Sequence, residues 1–140
     1  MKATYLIALL ASFAISSSAL AADKSSAAAA KVFIIEPANG ATVPTTFTVK
    51  FGASGVEIAP AGVDKPNSGH HHLLIDTETL PDFHSPLPAT PNLLHFGKAQ
   101  TETQVTLTPG KHTLQLVLGN YIHVAGDHPL VSEKITVTVK

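Results

Sequence analysis

Eight histidines stand in a 140-residue chain that has no cysteine, no arginine, no tryptophan and no methionine beyond Met1. They are His70, His71, His72, His84, His95, His112, His123 and His128. Imidazole is the commonest protein metal ligand, and the only side chain whose unperturbed titration falls near neutrality. With thiolate and thioether donors missing, this concentration points first to a metal site made of nitrogen donors. Spacing narrows the set. Successive side chains of a strand point to opposite faces, so on an extended segment His70 and His72 project together and His71 points away. Such a pair can converge on one ion and then needs a third donor from a neighbouring strand or loop. His123 is expected to supply it, and His95, from another connection, is a candidate fourth. His71, His84 and His128 read as surface residues. A metal-free histidine network, held by hydrogen bonds alone, is the alternative.

Copper(II) and zinc both accept imidazole, and copper stands highest in the divalent affinity order. The expected ion is therefore copper, with zinc as the alternative. Several copper chemistries are excluded. No cysteine can supply a blue-copper thiolate, and no histidine stands at or near the expected mature amino terminus, Ala22-Asp23-Lys24. Binding, storage or delivery of the ion remains. A zinc hydrolase would need an open position and a nearby carboxylate base, for which Asp76 or Glu102 could serve. The chain has no H-E-x-x-H and no G-x-S-x-G motif, so the sequence favours a binder over an enzyme. Asp76 can instead orient a histidine. A third reading is a metal-free interaction module. The protein partner it would need is unknown, and the absence of tryptophan argues against a sugar-stacking platform.

These residues need a scaffold, and the pattern around them is that of strands. Residues 45–51 alternate, with Phe47, Val49 and Phe51 on one face. Residues 31–36, 70–76, 103–108, 111–118 and 132–140 read as further strands, and 56–58 as a short edge strand. Residues 80–91 hold four prolines and read as a long surface loop. The expected fold is all-β, an immunoglobulin-like antiparallel β-sandwich, with Phe47, Val49, Leu114, Leu116 and Val137 inside. In that topology the strand with His70 neighbours the strand 111–118, whose exit loop carries His123. Leu107-Thr-Pro-Gly-Lys-His112 resembles the corner where such domains place an anchoring tyrosine. His112 is then either a ligand or a backbone anchor.

The amino-terminal residues read as an address. Met1-Lys2, an apolar run and Ala19-Leu20-Ala21 form a secretory signal peptide over residues 1–21. Residues 22–31 read as a flexible linker and 32–140 as the sandwich domain. The expected product is periplasmic or secreted and soluble after cleavage. Eight lysines against ten acidic residues after residue 21, without arginine, argue against nucleic acid as a partner.

Ser68-Gly-His-His-His-Leu-Leu-Ile-Asp76, His95-Phe-Gly-Lys-Ala-Gln-Thr-Glu102 and Leu107-Thr-Pro-Gly-Lys-His-Thr-Leu-Gln-Leu116 resemble the motifs of a bacterial family of small exported domains of unknown function. The resemblance covers nearly all of the chain after the linker. It implies a secreted single domain and gives weight to Gly69, His70, His72, Asp76, His95, Gln100, Thr101, Glu102, Gly110, His112 and His123. It implies no activity. Where that family often has glycine before Gln-Thr-Glu, this chain has Ala99.

Overall fold

A computed structural model describes residues 28–140. The expected signal peptide and residues 22–27 of the expected linker lie outside the described residues. Among the described residues nine strands form: β1 (Lys31–Glu36), β2 (Thr42–Val43), β3 (Thr46–Ser54), β4 (Glu57–Ile58), β5 (Ser68–Ile75), β6 (Leu93–His95), β7 (Glu102–Thr106), β8 (Gly110–Gly119) and β9 (Ile135–Val139). The fold is all-β, and no helix among the described residues is long and apolar enough to cross a membrane.

The strands make two sheets. One has the order β1-β3-β7 and the other β2-β9-β8-β5-β4, with β6 also pairing β5. Alternation explains how they meet. Phe47, Val49 and Phe51 of β3 share a core with Leu73 and Ile75 of β5, Leu114, Leu116 and Leu118 of β8, and Ile135, Val137 and Val139 of β9. The expected inward residues Phe47, Val49, Leu114, Leu116 and Val137 are all buried there. Val49, Leu73, Leu114, Leu116 and Val137 are fully inaccessible, and each such side chain contributes about 1.5–3 kcal/mol of burial free energy.

The strand with the histidines is buried on both faces, whereas β3 and β9 bury one. Along β5 the odd positions face the sandwich core. The even positions carry His70, His72 and Leu74. Leu74 packs with Leu87, Leu93 and Val117, and Phe83, Ala125 and Val131 lie against them. The segments 80–91 and 120–131 therefore cover the outer face of the sheet. The proline-rich stretch is irregular as expected, but it is also a lid that inserts Leu87. Two expectations need correction. His71, read as a surface residue, is fully buried and lies 5.2 Å from Phe51 between ring centroids. It has the parity of Leu73 and Ile75, and the opposing sheet covers that face. The segment before Phe96 is not merely a connection, because β6 adds a short strand to the edge of β5.

Candidate metal centre

Four histidine rings meet on the outer face of the larger sheet, and three elements bring them there. His70 and His72 come from one face of β5. Antiparallel pairing sets His95 of β6 directly opposite His72, and directly opposed residues project to the same face. On the other edge of β5, His70 pairs with Gly119, the last residue of β8. The turn after Gly119 then carries His123 back over the face. Asn120 shapes that turn. Its Oδ1 accepts from the backbone N–H groups of Ile122 and Val124, both at 3.0 Å. The His123 N–H donates to the Asn120 carbonyl at 2.8 Å, and the Leu87 N–H donates to the His123 carbonyl at 2.8 Å. His123 takes a left-handed φ of 70°, an uncommon state for a non-glycine residue, and these bonds hold it there.

The rings crowd one another. Centroids of His70 and His72 are 4.8 Å apart, His70 and His95 4.9 Å, His70 and His123 4.9 Å, and His95 and His123 4.6 Å. His72 stands 5.2 Å from His95 and 5.9 Å from His123. His95 Nε2 lies 3.1 Å from His70 Nε2 and 3.0 Å from His123 Nε2. Ligand atoms of His70, His72 and His95 fall within 4.8 Å of one another, so the three could hold a metal ion. No carboxylate among the described residues joins that group.

Protons alone do not satisfy this arrangement. A neutral imidazole has one N–H and one lone pair, so His95 Nε2 can make a good hydrogen bond to only one of its two nitrogen neighbours. His72 is fully buried with neither ring nitrogen partnered among the described residues, and His70 Nδ1 is likewise unpartnered. An unmet buried polar group costs about 1–3 kcal/mol. The spacing is one that a metal ion could fit. Nitrogens 2.0–2.1 Å from one ion stand about 2.9 Å apart at a right angle and about 3.3 Å at the tetrahedral angle. The observed spacings of 3.0 and 3.1 Å lie in that range.

At His70, His72 and His95 the surroundings favour the neutral ring, the form that can coordinate. Burial pushes the His70 pKa down to about 4, and neighbouring His95, His123 and His71 push the same way. Burial, followed by His70, His95 and His123, lowers His72 to about 3. The His70 carbonyl opposes this slightly without making a hydrogen bond. His95, exposed at the mouth of the cluster, is also lowered, by burial of part of its ring and by His123. Two glycines give the rings room. A Cβ on Gly119 would stand 2.7 Å from His72 Cε1, and one on Gly97 would stand 2.7 Å from His95 Nε2.

The remaining candidates are placed elsewhere. His112 anchors the corner: its ring bonds the Asp76 carboxylate through Nδ1 at 2.6 Å and the Thr108 carbonyl through Nε2 at 2.8 Å. Asp76 does orient a histidine, but that histidine is His112. Its other oxygen accepts the Thr113 N–H at 2.9 Å. Asp76 lies six residues beyond His70 along the strand, about 20 Å away, too far to act as a base at the cluster. Glu102 pairs with Lys50 in the smaller sheet. His84 is exposed and reaches Asp127 at 2.8 Å. His128 is exposed too, whereas the core residue His71 has both ring nitrogens unpartnered among the described residues. Gln100 Oε1 accepts the Lys98 N–H at 2.8 Å, closing the turn after His95, where Ala99 has a φ of 59°. Sequence reasoning missed Asn120, Gly97 and Gly119. Asn120 was detectable in principle as an Asx-turn residue three before a candidate ligand. The two glycines had no local signal, because what they make room for lies on other strands.

No curated protein and no solved structure matches the chain. A family model does. It is described as a domain of unknown function (DUF4399) and matches residues 49–140, which include β4 to β9 and all four clustered histidines; the chain belongs to that family.

Proposed function

We propose that this protein is exported to the periplasm or beyond and binds a metal ion through His70, His72, His95 and His123. The ion is copper, with zinc as the alternative, and the task is binding, storage or delivery. One observation carries the reading: four imidazoles from three elements converge, and the fully buried His72 has no partner among the described residues for either nitrogen. Neutral nitrogen donors without sulfur favour divalent copper or zinc over copper(I). The expected cleavage after Ala21 supports export, and mass spectrometry of the amino terminus in a periplasmic fraction tests it.

Metal titration of the tag-free protein tests the site. One equivalent of copper or zinc should bind. His72→Ala should abolish stoichiometric binding, and His84→Ala should leave it in place. Because His72 is buried, His95→Ala serves as a second variant at an exposed position and should weaken binding as well. Equal small losses at all histidines would indicate diffuse binding by a histidine-rich surface and would sink the reading.

A further inference from the structure

We propose that the copper-loaded site disproportionates superoxide, an inference that rests on copper as the ion and goes beyond binding. The donor set is the starting point. Four imidazoles surround the site and no carboxylate among the described residues joins them, so a bound ion keeps its full positive charge. His70 and His72 are fully buried. Burial penalises a doubly charged centre more than a singly charged one, and no anionic ligand offsets that penalty. The same four donors therefore hold Cu(II) without locking copper in that state, and Cu(I) becomes accessible.

The scaffold suits a centre that changes charge while its ligands stay in place. Two ligands sit on a strand paired along both edges, and two come from the adjoining edge strand and turn. Access is from one side. His95 is exposed and His123 partly so, while the other two rings are closed off. A small substrate can reach the ion there, and a negatively charged one is drawn to it. No carboxylate among the described residues joins the histidine group to act as a base, and Asp76 is engaged with His112 and Thr113 at the far end of β5.

Superoxide fits these demands. It is small, anionic, and able both to give and to take one electron. One superoxide gives its electron to Cu(II), leaving dioxygen and Cu(I). A second takes that electron together with two protons from solvent, leaving hydrogen peroxide and Cu(II). Two superoxide ions and two protons become one dioxygen and one hydrogen peroxide, and the metal returns to its starting state.

The experiment uses the exported protein without a tag, loaded with copper and desalted, its bound copper counted by elemental analysis before superoxide is added by rapid mixing. Many superoxide ions should be consumed per bound copper, with half as much hydrogen peroxide formed. The second-order constant should exceed about 10⁶ M⁻¹ s⁻¹, within the range of efficient enzymes. His95→Ala, carried through the same loading and desalting, should lose the activity along with its copper. Stoichiometric copper with consumption no faster than in the metal-free protein overturns the inference and leaves the binding reading intact. Failure to retain copper overturns both.

Discussion

The two ends of β5 use the same side chain for opposite purposes. At its start, His70 and His72 face other imidazoles in a buried setting, and their pKa values fall to about 4 and about 3. Just past its end, the His112 pKa is raised, chiefly by the Asp76 carboxylate. The protonated His112 ring can donate at both nitrogens, to Asp76 and to the Thr108 carbonyl. One end thus favours uncharged rings with lone pairs to offer. The other favours a charged ring that ties a turn together. A histidine's role here follows from its neighbours, and a carboxylate within reach separates the anchor from the candidate ligands.

The largest effect that could break this contrast is on metal and pH. At a free metal concentration of 100 times Kd, a bound ion should stabilise the folded state by about 2.7 kcal/mol, read as a rise in Tm. His70, His72 and His95 have folded pKa values below 6.5, so the stability of the metal-free protein linked to them is complete above pH 6.5. It should drain away as pH falls toward 4 and 3, because the unfolded chain takes up protons first. Proton competition with metal is delayed by the same burial. Release should centre below the value of about 6 expected for exposed imidazole. Metal-binding curves from pH 7 to 3.5 check this, and half-release at or above pH 6 would remove the distinction between the two ends.

Next in size is Gly119→Ala. The added Cβ would meet the His72 ring and the His123 backbone without removing any ligand. Displaced ligand orientation typically costs 10–100-fold in affinity, so about that loss is expected on titration. Parent-like affinity would mean that His72 does not contribute.

Asp76→Asn sharpens the other end. Asparagine tolerates the left-handed φ of 51° found at Asp76 but removes the charge that His112 faces. The cost should be about 1 kcal/mol by urea unfolding at pH 6, at the low end for a charge-assisted bond because Asp76 is 40% exposed. Since the His112 pKa is raised on folding, its contribution is full below pH 6.5 and lost as pH climbs through the folded value. The parent and variant should therefore converge in stability at high pH. Metal affinity should not change.

The smallest effect is expected at His84. It pairs with Asp82 and Asp127, and its pKa is raised, chiefly by Asp127, yet its side chain is 70% exposed and solvent screens the pairs. Metal titration of His84→Ala should match the parent within error. A marked loss would mean that the contact between the covering loops supports His123 more than its exposure suggests.

Much of this was legible locally. Alternation over β3, β8 and β9 is a direct record of one buried face, and it identified Phe47, Val49, Leu114, Leu116 and Val137 as core. The i, i+2 spacing put His70 and His72 on one side of a strand, because side-chain direction in a strand is fixed by parity alone. The histidine at 112 could be recognised as a corner anchor or a ligand, but the choice between them needed the position of Asp76, 36 residues earlier. His71 was misread because parity says which way a side chain points and not what lies there. Only the opposing sheet, with Phe51, makes that side an interior. The pairing of His95 with His72 was equally out of reach, since a three-residue strand carries too few residues to show a period. The sequence by itself determined which residues can alternate, turn or coordinate, since those are properties of single side chains and short spans. The tertiary structure decided which of them meet and how wet they are, because distance and burial are set by segments far apart in the chain.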